Sequence, residues 1–331
     1  MILNVCGLAL AVSSEDDEVA AAVRDRLRGF PSASDHAPEL RFEYRIDSQA
    51  VSPPPGEGRS VYDTPRGAVL HFAAHDSLYV DAGGGVRVLC DAESGRTLVS
   101  VGLQRPRDLW LLSRPMFTLP LLEMGKRRQR YGVHAAGVAV DGRGILLAGP
   151  TGAGKSTLAL ALAGRGLDFL GDDLVFLRRD DDGVRVLAFP DEIDVTDDTL
   201  RLLPELNGVW RRRAGAEWPK HRVAVAELPG VRVPAECQPA ALLFPRVTDT
   251  QVSRLWPMSA HEALLKLAPN VLLTDPASSQ MHLDALTQLV GQCHCARLDT
   301  GRDFDTLAER LRTLVAMSGR RDRRAGAALD R

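Results

Sequence analysis

A run of small residues that ends in lysine and serine has the composition of a phosphate-binding loop. Residues 149–156, Gly-Pro-Thr-Gly-Ala-Gly-Lys-Ser, match the spacing G-x-x-x-x-G-K-[ST]. Glycines let backbone N–H groups turn toward phosphate oxygens, and the helix that follows presents its positive end to them. Lys155 then neutralises the β- and γ-phosphates, and Ser156 is a ligand for Mg²⁺. The predicted site for ATP and Mg²⁺ comprises Gly149, Pro150, Thr151, Gly152, Ala153, Gly154, Lys155, Ser156 and Thr157.

Two adjacent acids, Asp172 and Asp173, follow the helix after this loop. Neighbouring side chains on a strand normally point to opposite sides, but a bend at Gly171 would let both carboxylates face the γ-phosphate. One carboxylate could then bind Mg²⁺, directly or through water. The other could accept a proton from an attacking hydroxyl, which is the base that a kinase needs. The alternative interpretation is a polar turn between two strands.

Other polar residues are candidates for the same site. His134 lies on the strand predicted to pair with the strand that enters the loop, from which it could contact the aspartates. Arg246 follows the apolar strand 240–245, and strand ends in α/β folds line ligand crevices, so Arg246 is a candidate transition-state cation. Lys220 and His221 are candidates for phosphate contact. The alternatives are a structural role for His134 and an exposed basic loop over 211–222.

Apolar patterns predict the elements that position these residues. Two apolar runs around Asp141-Gly142 predict a hairpin, whose second strand leads into the loop. Residues 157–166 predict a helix that ends at a glycine, and a strand interrupted at Gly171 follows it. The sequence therefore predicts an α/β architecture for this region.

The first hundred residues predict a β-rich region with one early helix, over 15–30. Residues 107–130 predict two helices, because Pro115 and Pro120 interrupt the pattern, with 126–130 as a solvated helix end. The stretch 3–12 suits a buried strand better than a signal peptide, since no basic residue precedes it.

Composition argues against several classes of protein. The chain has 331 residues and a formal net charge of -2, which is unlike a nucleic-acid binder. No apolar run reaches the ~18 residues of a membrane span. Five scattered cysteines do not form a disulfide framework and favour a cytoplasmic location. Cys293-His294-Cys295 lacks the second ligand pair of a zinc site and predicts a strand.

The surroundings of the loop separate the classes of nucleotide-binding protein. No downstream apolar strand ends in the Asp or Asp-Glu of motor and transporter ATPases, and the Leu-Ser-Gly-Gly of transporters is missing. The Asn-Lys-x-Asp that reads guanine is missing as well. The acid pair directly after the loop helix therefore favours a kinase over a motor, a transporter ATPase or a GTPase.

The combination of His134, the phosphate loop and Asp172-Asp173 resembles the HPr kinase/phosphorylase family of serine kinases, which is related to phosphoenolpyruvate carboxykinases. His134 lies 21 residues before Lys155 and Asp173 lies 18 after it, which agrees with the family spacing. The resemblance covers about 130–315. It implies that Asp173 is the proton acceptor, Asp172 its acidic neighbour at the metal and His134 the assisting histidine.

The resemblance implies an α/β P-loop kinase core of HPr kinase/phosphoenolpyruvate carboxykinase type with a smaller β-rich α+β N-terminal domain. We predict an N-terminal domain over 1–125 that is a candidate for substrate recognition, a kinase domain over 126–318 and a disordered basic tail over 319–331. A homo-oligomer is one option for the assembly.

The implied reaction is ATP-dependent phosphorylation of a serine in a peptide or protein. The chain is more similar to the stand-alone kinases of the group, some of which act on precursor peptides of modified peptide natural products. Phosphorylase activity stays open, as does the choice of Asp191, Glu192 or Asp194 as a further acid at the metal. The alternatives are a small-molecule kinase, for example of free serine, and an ATP-binding regulator without catalysis.

Overall fold

A computed structural model describes residues 1–33, 35–47, 51–64, 67–72, 76–103, 107–212, 220–225, 228–271, 273–274 and 276–329. The chain forms two compact units. The first comprises Met1–Tyr131 and Leu272–His282, and the second comprises Gly132–Val271 and Leu283–Arg331. The predicted domains were continuous along the chain, so they did not place 272–282 with the N-terminal residues. Among the described helices, none combines the length and the apolar composition that crossing a bilayer requires.

The first unit is built on an eight-stranded sheet of order β1-β2-β3-β8-β7-β6-β5-β4. Strands β2, β3 and β8 run parallel, and the other neighbours pair antiparallel. Its elements are β1 Ile2–Val5, β2 Leu8–Ser14, α1 Asp17–Arg26, β3 Leu40–Ile46, β4 Arg59–Thr64, β5 Gly67–Phe72, β6 Ser77–Asp81, β7 Val86–Asp91, β8 Arg96–Val101, α2 Leu109–Ser113 and α3 Pro115–Arg127. The predicted β-rich region with one early helix is confirmed.

Two expectations for this unit are wrong. The two predicted helices are confirmed as α2 and α3, with the break before Pro115, but the expected interruption at Pro120 is wrong, because α3 continues through this buried residue. Proline removes one helical hydrogen bond, and here the packing of the buried helix face maintains the helix. Lys126 is 1% exposed and does not belong to a solvated helix end.

The second unit contains a nine-stranded sheet and a three-stranded sheet of order β15-β17-β16. Its strands are β9 Tyr131–Val133, β10 Ala135–Val140, β11 Arg143–Ala148, β12 Asp168–Gly171, β13 Val175–Asp180, β14 Gly183–Leu187, β15 Ile193–Thr196, β16 Trp210–Arg212, β17 Lys220–Val223, β18 Glu236–Val247, β19 Arg254–Pro257 and β20 His294–Thr300. Its helices are α4 Lys155–Ala163, α5 Asp197–Leu202, α6 Ala260–Leu267 and α8 Phe304–Leu329, together with the part of α7 Pro276–Gln292 that follows His282. Helix α8 thus extends into the predicted tail, where arginine and alanine have high helix propensity.

The strand pairing places four strand ends at one edge of the large sheet. Strands β11 and β18 are parallel, as are β18 and β20. Strand β10 is antiparallel to both β11 and β12, so β12 runs in the direction of β11. The carboxyl ends of β11, β12, β18 and β20 therefore meet at the same edge, the position where α/β sheets bind ligands.

Local turn residues and apolar periodicity form this region. Asp141 and Gly142 both have positive φ, 50° and 72°, as a two-residue hairpin turn requires, and they join β10 to β11 as predicted. Leu158 and Leu162 of α4 pack in one cluster with Leu147 of β11 and with Leu307 and Leu311 of α8. All five are buried, and each such side chain contributes about 1.5–3 kcal/mol. This packing holds α4 against the sheet directly behind the loop.

Candidate active site

The predicted phosphate loop connects the end of β11 to the start of α4. Gly149, Gly152 and Gly154 have φ of 147°, 84° and 89°, a region that strongly favours glycine. A Cβ on Gly154 would also lie 2.8 Å from a methyl of Val247, at the end of β18. Strand, loop and helix follow each other as predicted, so the loop has the geometry that directs backbone N–H groups at phosphate.

Lys155 is buried at the first position of α4, 6% exposed. Its Nζ donates to the carbonyl oxygens of Gly149, at 2.8 Å, and Pro150, at 3.2 Å. Burial lowers the pKa of Lys155, and the charges of Asp173 and Asp172 counteract part of that effect. Within the described part of the chain, no carboxylate forms an ion pair with Lys155. A buried cation held only by neutral carbonyls suits an anionic ligand.

Asp172 lies in the turn after β12 and is 4% exposed. Burial raises its pKa to about 7, and the charge of Asp173 adds to this, while a hydrogen bond with Ser156 and the charge of Lys155 oppose it. One of its oxygens, Oδ1, is buried without a hydrogen bond to any described residue. A carboxylate oxygen without a partner beside a serine hydroxyl is an oxygen donor set that fits Mg²⁺.

The three downstream acids occupy different environments. Asp194 is the acid whose negative charge reaches Asp172, where it adds to the rise in pKa. Glu192 forms an ion pair of 3.0 Å with Arg222. Asp191 accepts a hydrogen bond from the backbone N–H of Glu192. Of the three, Asp194 is therefore the one placed to act on the Asp172 carboxylate.

Asp173 is exposed, unlike its neighbour. Its backbone carbonyl lies 2.9 Å from Nδ1 of His134, which lies between β9 and β10. Because a carbonyl oxygen only accepts, Nδ1 donates this hydrogen bond. His134 therefore holds the main chain at Asp173 and not the carboxylate. Gly171 precedes the turn because a Cβ there would lie 2.4 Å from the carbonyl oxygen of Leu174.

The more distant candidates have partners of their own. Arg246 lies at the end of β18, 61% exposed, and forms an ion pair of 3.1 Å with Asp299. His221 lies 2.6 Å from Asp197, and the ring of Trp210 packs against it at 4.3 Å. The side chain of Lys220 and the whole of 213–219 lie outside the described residues. The structure therefore gives His221 a carboxylate partner and leaves Arg246 at the edge of the site.

Sequence reasoning missed a hydroxyl contact beside the loop. Thr157, in the first turn of α4, lies with its Oγ1 2.8 Å from Oγ1 of Thr199 in α5. Thr199 Oγ1 also lies 3.3 Å from Oγ1 of Thr196, the residue that caps α5. No local pattern in the sequence connects residues 42 positions apart. The contact joins the loop helix to the segment that carries Asp194.

The fold and the loop define this chain as an α/β P-loop protein with a β-rich N-terminal unit. No family model matches it. HPr kinase/phosphorylase of Geobacillus sp. (strain WCH70) is 32% identical over 121 residues, 32% of this chain and 39% of the relative. The same enzyme of Bacillus cytotoxicus is 31% identical over 125 residues, 33% of this chain and 40% of the relative.

Among solved structures, the Hpr(Ser) kinase/phosphatase from Coxiella burnetii matches 38% of this chain and 77% of its own. Its sequence identity is 18% and its TM-score 0.24. The chain spans about two fifths of the length of the curated relatives it matches. In that matched part, the chain is similar in sequence to HPr kinase/phosphorylase, the family that the sequence analysis named.

Proposed function

We propose that this chain is an ATP-dependent kinase that transfers the γ-phosphate to a serine hydroxyl of a peptide or protein. The observation that carries the proposal is the proximity of the phosphate loop and the acid pair, since Ser156 and Lys155 of the loop both act to lower the pKa of the buried Asp172. The names of the curated relatives support the same class of reaction.

The loop 149–157 would hold the phosphates of ATP, with Lys155 against the β- and γ-phosphates. Ser156 and Asp172 would hold Mg²⁺, which neutralises charge on the phosphates when bound. The buried position of Asp172 keeps water from its carboxylate. This part of the site binds and orients the phosphate donor.

Asp173 would take the proton of the acceptor, since its side chain is exposed beside the buried Asp172. The serine oxygen attacks the γ-phosphorus, the proton moves to the Asp173 carboxylate, and the bond to the bridging oxygen of ADP breaks. His134 would position Asp173 through its carbonyl. Arg246 would stabilise transition-state charge from the end of β18. Catalysis is then mainly positioning and electrostatics.

The acceptor class is the finer part of the proposal. A serine in a precursor peptide of a modified peptide natural product is the form we favour, with the β-rich unit in substrate recognition. The five cysteines are free, which fits a reducing, cytoplasmic compartment. The two alternatives, a kinase of free serine and a regulator that binds ATP without transfer, make different predictions in the same assay.

The test incubates the full chain with γ-labelled ATP and Mg²⁺, together with a cell peptide fraction or with free serine. We expect label on peptide serine, and a loss of about 10²–10⁴-fold for Asp173→Asn, which removes the base at constant shape. Asp181→Asn, in the exposed turn between β13 and β14, is the matched control.

The outcomes separate the three functions. Label on free serine alone would favour the small-molecule kinase, and bound ATP without transfer to either acceptor would favour the regulator. Undiminished transfer by Asp173→Asn would remove Asp173 as the base.

A further inference from the structure

Five side chains share one face of the large sheet where β18, β20 and β19 lie side by side. Arg246 and Arg254 each pair in register with Asp299, and Trp256 pairs with Arg297. Residues directly opposite one another on paired strands point to the same face, so all five do. We call Arg246, Arg254, Trp256, Arg297 and Asp299 the basic face.

The contacts within the basic face leave positive charge in excess. Asp299 forms ion pairs with both Arg246, at 3.1 Å, and Arg297, at 3.3 Å, and accepts a hydrogen bond from Nε1 of Trp256 at 2.8 Å. The side chain of Arg254 is exposed and has no ion pair with any residue that the structure describes. The basic face thus contains three guanidinium groups and one carboxylate, although the chain as a whole carries a net charge of -2.

The basic face is open to a partner. Arg246 is 61% exposed, Arg297 45% and the Trp256 residue 45%, and the Arg297 guanidinium lies 5.4 Å from the centre of the Trp256 ring. Exposed arginine beside an aromatic ring is a combination enriched where proteins bind partners. Asp299, only 13% exposed, holds the side chains of Arg246 and Arg297 in place, and its single negative charge neutralises only one of their two positive charges.

The basic face begins at the end of β18 that lies next to the phosphate loop. Val247, which follows Arg246, is the residue that a Cβ on Gly154 would meet at 2.8 Å. Arg246 therefore lies at the same end of β18 as the loop, and its side chain points to the opposite face of the sheet from that of Val247. From Arg246 to Arg254 the face spans three strands, roughly 10 Å at the usual strand spacing, which equals about three residues of extended peptide.

We propose that the basic face docks an acidic segment, about three residues long, of the acceptor peptide. This inference rests on the proposed kinase function and specifies its acceptor. Charge complementarity carries it: aspartate or glutamate near the acceptor serine would pair with Arg254 and Arg297, while the backbone of the peptide crosses the edge that holds Asp173. Arginine presents a planar fork that matches carboxylates.

The test measures binding of fluorescein-labelled synthetic peptides to the full chain by anisotropy. One peptide carries a serine flanked by aspartates, and the other has asparagine in place of each aspartate. We expect tighter binding of the acidic peptide at low salt, with affinity falling as ionic strength rises. Arg254→Gln and Arg297→Gln should each weaken it about twofold to fivefold, as for exposed ion pairs. Arg201→Gln, an exposed arginine of α5, is the matched control.

A charge reversal sharpens the result. Arg254→Glu should bind the acidic peptide more weakly than Arg254→Gln does and should gain affinity for a peptide with lysine in place of aspartate. Equal affinity of the wild type for the aspartate and asparagine peptides would overturn the proposal. Competition of MgATP with the labelled peptide would also overturn it, since the basic face would then belong to the nucleotide. Anisotropy reads binding alone, so these outcomes are distinguishable from a failure of phosphate transfer.

Discussion

Lys126 in the first unit and Lys155 in the second are both buried, but their partners differ in kind. The ammonium of Lys126 lies 2.7 Å from Glu123 and 2.7 Å from the hydroxyl of Thr274. Glu123 in turn accepts from Thr274 and pairs with Arg127 at 2.9 Å. Lys155 donates to two backbone carbonyls of its own loop instead.

The difference separates a charge that the fold neutralises from one that binds phosphate under the proposed function. Around Lys126 the opposite charge is supplied by the fold, so the group contributes to the packing of the first unit. Around Lys155 the nearest acids influence its pKa but do not pair with it among the described residues. A buried lysine without a carboxylate partner among the described residues is expected where a protein binds phosphate.

Removing Glu123, the carboxylate that pairs with Lys126, should have the largest effect on stability. Glu123→Ala leaves Lys126 buried without its carboxylate, and we expect the free energy of unfolding to fall by about 3–5 kcal/mol. Urea denaturation followed by circular dichroism measures it. The double variant Glu123→Leu/Lys126→Met is the control, because it removes both charges and should recover most of the loss. A loss below about 1 kcal/mol for Glu123→Ala would contradict the structural role.

Removing Lys155 should lower activity without lowering stability, which is the opposite of the result expected for Glu123→Ala. Lys155→Met should reduce phosphate transfer by about 10²–10³-fold, as for loss of a single preorganised donor. Its stability should stay level or increase, because a buried charge without an ion-pair partner is removed. Transfer rate and urea denaturation are measured on the same protein. The matched control is Lys266→Met, which changes an exposed lysine on α6. If Lys155→Met lowered the free energy of unfolding, it would contradict the proposed difference between Lys155 and Lys126.

The smallest effect on activity should come from His134, which contacts the backbone carbonyl of Asp173 and not its carboxylate. His134→Ala removes one hydrogen bond to the Asp173 carbonyl, so we expect kcat to fall by up to about tenfold at an unchanged KM for ATP. His134→Asn, which retains a donor, should recover part of the rate. A loss of 10³-fold or more would instead place the imidazole in the proton transfer itself.

Features that depend on neighbouring residues could be predicted from the sequence. The hairpin at Asp141-Gly142 and the Ser259 cap of α6 follow from turn and cap residues a few positions apart. The prediction of a break at Pro120 was wrong because burial outweighed the local preference. The burial of Lys126 was not predicted because it depends on contacts such as that with Thr274, 148 residues away in the sequence.

By itself, the sequence determined the chemistry of the phosphate loop and the order in which the acid pair follows it, since both are set by residue type and short spacing. Only the tertiary structure decided that Asp172 is buried against Ser156 while Asp173 is exposed, and that His134 holds a carbonyl. It also decided that Arg246 shares Asp299 with Arg297. The physical reason is that burial and ion pairing depend on strands brought together by sheet pairing, which residue spacing along the chain does not specify.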